Sequence, residues 1–433
     1  MRYANIIALS VIALCLPLAL ISPELVSLSM IWTVQTLAWI AFTYTLLQST
    51  LHNRTFLVRV ALVTLIPIAL MSLTIDKVYS DDSYRYRWDG HVTVMGQNPY
   101  RWAPADDDVQ HLGFREGVVT YPDAVTYQKL KTVYPPGSQL IFASAALVSD
   151  SSGFGFKLAM WFFVVLGSVI FLRLCNHDQR VWCVVALTSP IFLLHGLVDL
   201  HTDVLMALLT GIAILLSQRG HRIAPGIVLG YAIAVKYLPA LALPILLRGR
   251  SIRMQIGIIA LLLFTLGAVY FPFLRSDVFG SLEIFALKWQ ANSGLYSLLI
   301  LFFRDDGVRI IMACASAIGI AAAWWQHHSQ PLMACALSII ILLLCSPVLH
   351  PWYLLLPVIL LPMVPLRSTI VWVATVVVYC MALSKYKSDG VWIDHPVALV
   401  FEFLPVVAAV LVDMQRGPLL LRNEHRTNST ATS

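Results

Sequence analysis

The densest chemistry in the chain stands in one polar run, Ser80-Asp81-Asp82-Ser83-Tyr84-Arg85-Tyr86-Arg87-Trp88-Asp89-Gly90, directly after an apolar segment. Three carboxylates there sit where water meets lipid, so one of them can serve as a base toward a group held at a lipid headgroup. The plainer use of the same residues is structural, with Asp81 or Asp82 as a helix cap and the aromatic rings at the interfacial depth they prefer in any membrane protein. A second group, His195-Gly196-Leu197-Val198-Asp199-Leu200-His201-Thr202-Asp203, holds two histidines and two aspartates. His201 and Asp203 are only two apart and no histidine pair at i, i+4 completes a site, so a polar lining for sugar or phosphate is expected and a metal is not. Lys236 stands inside the apolar stretch 231–247, where a lone charge either snorkels to the interface or meets an anion such as a lipid phosphate. His350-Pro351-Trp352-Tyr353, preceded by Ser346-Pro347, breaks the chain between two apolar segments and adds a group that titrates near neutrality.

The elements that position these residues are apolar almost throughout. Of 433 residues 59% are hydrophobic and 12% charged, against about 25% charged in a soluble domain, so a water-soluble fold is excluded. Twelve crossings are expected, at 4–21, 28–48, 56–74, 157–174, 181–196, 203–217, 254–273, 308–325, 331–347, 351–365, 368–384 and 396–412. Residues 138–149, 223–246 and 294–303 read as half-membrane or re-entrant pieces, the second broken by Lys236 and Pro239. The fold class is therefore all-α: one polytopic helical membrane domain over residues 1–412, with a polar loop at 75–137 and a Thr/Ser-rich tail from 413 to 433 expected to be cytoplasmic and disordered.

Positive residues gather in short connections (Arg54 and Arg59, Arg173 and Arg180, Arg219 and Arg222, Arg248 to Arg253, Arg367 and the tail), which places those loops and both termini in the cytoplasm. The 75–137 loop, the His195 to Asp203 connection and the His350 turn then share the outer face. The net charge of +6 reports topology and points to no nucleic-acid partner. The seven cysteines lie in or beside apolar segments without a CxxC pair, so neither disulfides nor a zinc site is expected.

Taken in order, Asp82-Ser83-Tyr84-Arg85-Tyr86, Asn98-Pro99-Tyr100, Tyr134-Pro135-Pro136, His201-Thr202-Asp203, Lys236 with Pro239, and His350-Pro351-Trp352-Tyr353 resemble the GT-C superfamily of integral membrane glycosyltransferases. The pattern is most similar to the bacterial polyprenol-phosphate-mannose-dependent mannosyltransferases, across about residues 76–365. The resemblance implies a polyprenyl-phosphate sugar donor, a lipid or glycan acceptor hydroxyl, inversion by direct displacement, membrane lipids as surroundings and no cofactor, with the adjacent Asp81 and Asp82 leaving a divalent metal open as the alternative. It selects Asp82 as the base, since Asp82 and Tyr86 reproduce an Asp-x-x-x-Tyr spacing, with Asp81 as the near alternative. Tyr84, Arg85, Tyr86, Asp89, His201, Asp203, Lys236, His350, Trp352 and Tyr353 are the implied substrate-binding residues. Thr202 stands where the family has an asparagine, and His350 is followed by Pro351 where it has a second histidine. The rival function is a flippase or transporter of a lipid-linked sugar, which would spread its charges through the bilayer depth; here they cluster at one face.

Overall fold

A computed structural model describes residues 8–12, 28–75 and 80–419. The expected first crossing lies largely outside these residues, as does most of the tail. Among the described residues seven helices are long and apolar enough to cross a membrane: Ser29–Gln48, Leu51–Ser72, Phe154–Leu174, Ile252–Phe273, Asp305–Gln326, Arg367–Asp389 and Pro396–Arg416. An eighth span results if His177–Leu187 and Phe192–Val198 count as one broken crossing. The expected crossings at 203–217, 331–347 and 351–365 are helices of smaller reach, Thr202–Gln218, Pro331–Leu344 and Pro351–Leu360. At 1.5 Å per residue a 14-residue helix covers only about 21 Å of a roughly 30 Å core. Hydropathy alone cannot see this, because a helix enclosed by protein is as apolar as one facing lipid. The expected half-membrane pieces are short helices, Pro136–Ala146, Ala224–Val235 with Leu238–Leu247, and Gly294–Leu299.

The chain forms two compact units. In the first, residues 8–12, 28–75, 175–193 and 357–419, the Leu28–Gln48 helix buries Trp32, Trp39 and Phe42, and the Trp39 indole donates to the Val185 carbonyl at 2.8 Å. At the start of the Arg367–Thr375 helix, Asp413 accepts from the backbone N–H groups of Arg367 (3.1 Å) and Ser368 (2.8 Å) and from the Arg367 guanidinium (3.1 Å). A carboxylate from a distant helix thereby caps orphan donors at a positive helix end.

The second unit, residues 80–174 and 194–356, carries every candidate site residue. The Asp82–Val94 helix packs against Pro136–Ala146, which packs in turn on Ala224–Val235. Both contacts need glycine. A Cβ on Gly90 would lie 2.4 Å from the Phe142 carbonyl oxygen, and one on Gly137 would lie 2.6 Å from the Ala234 carbonyl carbon. Helix backbones meet this closely only through such small residues. The rest of the polar loop is organised: an antiparallel hairpin, Phe114–Glu116 with Val119–Tyr121, joins a small core of Trp88, Val92, Val109, Tyr121 and Val125.

Candidate active site

The site is assembled from the ends of elements. Asp82 is the first residue of its helix, with Asp81 at the N-cap position but making no side-chain cap bond; the Asp82 N–H is instead satisfied by the Ser80 hydroxyl at 3.2 Å. One turn on, Tyr86 points to the same side, as i, i+4 spacing requires. Tyr86 is fully buried, stacked on Phe142 with ring centroids 4.4 Å apart, and its hydroxyl lies 3.0 Å from His201 Nδ1. Thr202 also hydrogen-bonds the Tyr86 hydroxyl. Asp82 Oδ2 is 3.7 Å from the same His201 nitrogen, and the Tyr134 hydroxyl donates to the Asp82 carboxylate.

Tyr134 is absent from the sequence-derived set of site residues, although its motif is conspicuous. The Tyr134-Pro135-Pro136-Gly137 run is a helix start with Pro136 at the first position, which fixes where Tyr134 leaves the helix axis. The Asn98-Pro99-Tyr100 turn supports it from behind. The Tyr100 hydroxyl donates to the Tyr134 carbonyl at 2.6 Å, and the Asn98 amide donates to Ser276 at 2.7 Å.

Lys236 enters from the opposite side. The Ala224–Val235 helix ends where Lys236 takes an extended conformation (φ −160°, ψ 147°), two residues before the Pro239-containing turn. Its ammonium does not snorkel: it donates to Asp203 Oδ1 at 2.5 Å and sits 4.3 Å above the Tyr353 ring. Asp203 is in the first turn of the Thr202–Gln218 helix, where the macrodipole favours a carboxylate. The His350 turn closes the group. Trp352 is sandwiched between His201 (centroids 4.0 Å, planes 14° apart) and His350 (4.5 Å, 13°).

Asp82, Tyr86, His201, Asp203, Lys236, His350, Trp352 and Tyr353 are thus brought together. Tyr84, Arg85 and Asp89 are engaged elsewhere. Tyr84 packs on the hairpin core, and Arg85 is paired with buried Asp89 at 2.8 Å while donating to the Leu130 carbonyl at 2.9 Å. Asp89 also accepts from the Gln139 amide at 3.1 Å, so this pair ties the Asp82–Val94 helix to its neighbours.

Behind His201 lies a second layer. His195, in the π-helical segment Phe192–Val198, has Nδ1 3.0 Å from Asp199 Oδ2, and both are buried. Leu200, between Asp199 and His201, has φ +53°, a left-handed conformation that costs a non-glycine residue about 1–3 kcal/mol. A π segment and a left-handed leucine flanking three polar side chains mark a backbone shaped around them. Neither feature has a sequence signature.

The electrostatics separate the groups. Burial pushes the Asp82 carboxyl up to about 6, against the opposing hydrogen bond from Tyr134 and the charge of Lys236; Asp203 and Asp81 add to the rise. Its side chain keeps 37% of its surface open, so a substrate hydroxyl can reach it. Burial holds His201 well below its ordinary value, helped by His195, Lys236 and His350. Burial, then Lys236 and His195, lower His350 to about 3. Both imidazoles are therefore neutral hydrogen-bonding groups near pH 7. The arrangement offers one carboxylate of base-like pKa, one ammonium and an aromatic wall.

Residues 10–248 match the model of the MptA/B family, described as the N-terminal domain of alpha-(1->6)-mannopyranosyltransferase, and residues 306–414 match the MptB C-terminal domain. The chain belongs to the MptA/B family. Over 411 residues it is 25% identical to Alpha-(1->6)-mannopyranosyltransferase A of Mycobacterium tuberculosis (strain ATCC 25618 / H37Rv), covering 83% of this chain and 75% of that protein. As an MptA/B family protein it is a multi-pass membrane glycosyltransferase that works with a sugar donor and a glycan acceptor. The first match contains Asp82, Tyr134, His201, Asp203 and Lys236; the second contains His350, Trp352 and Tyr353.

Proposed function

We propose that the chain transfers mannose from a polyprenyl-phosphate mannose to a hydroxyl of a glycan or lipid acceptor, with inversion, at the extracytoplasmic face. The observation that carries this reading is that Asp82, open and with its pKa raised to about 6, lies within the field of the Lys236 ammonium, which Asp203 holds in place. A hydroxyl is a poor nucleophile, so a carboxylate that accepts its proton as the new bond forms contributes about 10² to 10⁴ in rate. The charge appearing on the departing phosphate needs fixed cationic or hydrogen-bonding partners. Lys236 would supply the first, and the His350 imidazole is the candidate for the second.

The single base fits a one-step displacement, with no second nucleophilic carboxylate called for. The relative's name specifies an α-(1→6) mannosyl product. An α-linked product made in one displacement requires a β-configured phosphodiester donor, which is an explicit demand on the substrate.

The test is transfer by the purified chain from synthetic β-polyprenyl-phosphate mannose to a mannoside acceptor, with the linkage read by NMR. Transfer from a nucleotide sugar and none from the lipid donor would overturn the donor assignment. The face is tested by Val118→Cys at the exposed hairpin tip, in a background lacking the native cysteines. An impermeant maleimide should label it in intact cells, and labelling only after permeabilisation would reverse the orientation.

A further inference from the structure

We propose that His195, Asp199 and His201 form a divalent metal site of the zinc type, set behind the Asp82–Tyr86 face. One ligand atom from each of the three side chains lies within 4.8 Å of the others, and all three residues are buried. Sequence spacing does not suggest it, because the pair His195 and His201 is six apart and no regular helix brings such residues to one point. The structure does so through the wider π turn at Phe192–Val198, followed by the left-handed turn at Leu200.

The state of His201 is the second observation. Its Nδ1 is engaged with the Tyr86 hydroxyl at 3.0 Å, while its Nε2 is buried and has no hydrogen-bond partner among the described residues. A buried imidazole nitrogen left in that condition is a cost that a bound cation removes. Binding would require neutral imidazoles and an ionised carboxylate. His195 and Asp199 already meet at 3.0 Å, so two of the three donors are held together by the backbone before any ion binds.

The donor set selects the ion. Two imidazole nitrogens and one carboxylate oxygen suit zinc among available divalent metals and are poor for calcium or magnesium, which take oxygen ligands. The Tyr86 hydroxyl, bonded to the far nitrogen of His201, would be the outer partner that fixes the ring tautomer. The ion's role is positional: it would lock His201 against Trp352 and beside Asp82, whichever sugar the enzyme carries.

The experiment uses the full-length chain purified in detergent through a tag without histidines, with metal content measured by mass spectrometry. The expected ratio is about one zinc per chain for a single three-ligand site. Chelator-stripped protein should take up Co2+ with visible d–d bands, and Zn2+ should displace them. Asp199→Asn and His195→Gln should lose this uptake. Because such variants could fail to fold, Tyr86→Phe is the milder arm, expected to weaken metal affinity by about 10- to 100-fold with the ligands intact. Asp82→Asn should keep the metal. The proposal is overturned if stripped parent protein takes up no stoichiometric metal, if Tyr86→Phe and Asp199→Asn bind as the parent does, or if Asp82→Asn loses the metal while Asp199→Asn and His195→Gln retain it.

Discussion

Asp413 and Asp82, one in each unit, both meet the start of a helix, Asp82 as the first residue of its own and Asp413 from the last turn of Pro396–Arg416, and they are treated in opposite ways. Asp413 has no exposed surface, and its two oxygens are taken up by two backbone N–H groups and the Arg367 guanidinium. Nothing is left for a substrate. Asp82 keeps 37% of its side chain open, receives a hydroxyl bond from Tyr134, and faces Lys236 without direct pairing, because Asp203 occupies that ammonium at 2.5 Å. A carboxylate saturated with donors is a fastener, while one surrounded by protein but incompletely bonded keeps its affinity for a proton. An aspartate that meets a helix start is thus fully enclosed in one unit and left with open surface in the other.

Exchanging each acid for its amide is the sharpest way to break this comparison. Asp82→Asn should lower kcat by about 10² or more while leaving the thermal midpoint nearly unchanged. Asp413→Asn should do the reverse, costing about 1–3 kcal/mol of stability with turnover of the folded fraction preserved. The check is one assay and one melting curve on each variant. A destabilised Asp82→Asn with normal turnover would mean that Asp82 is the fastener.

Lys236→Met comes next in size. Removing the ammonium should raise the KM for the lipid donor by about 10- to 100-fold, equivalent to about 1.5–3 kcal/mol for a charged hydrogen bond. Lys236→Arg should keep part of the affinity, since charge survives while the compact geometry does not. Steady-state kinetics over donor concentration separates this from a loss in kcat.

The pH dependence is a smaller effect with a definite sign. Asp82 acts only as the carboxylate, so kcat/KM should fall roughly tenfold per pH unit below about 6 and level off above it. The Tyr134 hydrogen bond favours the ionised form, so Tyr134→Phe should move this limb to higher pH. A pH profile of both proteins decides it, and a limb that stayed in place would remove Tyr134 from the site. The smallest effect is expected for Asp81→Asn. Asp81 contributes least to the Asp82 shift and makes no cap bond, so turnover should stay within about threefold, as for surface substitutions in general.

How much of this was legible in the sequence depends on the kind of signal. Long apolar runs gave the seven full spans, because lipid demands length and apolarity together. The same signal also picks out Thr202–Gln218 and Pro331–Leu344, shorter apolar helices whose side chains are mostly buried in protein. Asp82, Tyr86, Lys236 and the His350 turn were readable because charge and helix breakers stand out against an apolar background. Arg85 and Asp89 were readable as chemistry for the same reason, although the structure uses them to hold one another. Tyr134 was hidden behind its prolines. The His195–Asp199–His201 grouping was hidden by backbone geometry, since a π turn and a left-handed leucine overturn the spacing rules by which ligands are recognised.

The two close helix contacts carry a consequence of scale. Lys236 directly follows the helix that touches Gly137, and Asp82 begins the helix that touches the same neighbour through Gly90. The distance between Asp82 and Lys236 is thus gauged by two missing methyl groups. Backbone against backbone is a hard stop, so this gauge does not stretch to suit a larger residue of the donor. A methyl at either glycine would meet backbone at 2.4 to 2.6 Å, so the two helices would have to separate, and the spacing between Asp82 and Lys236 would move with them.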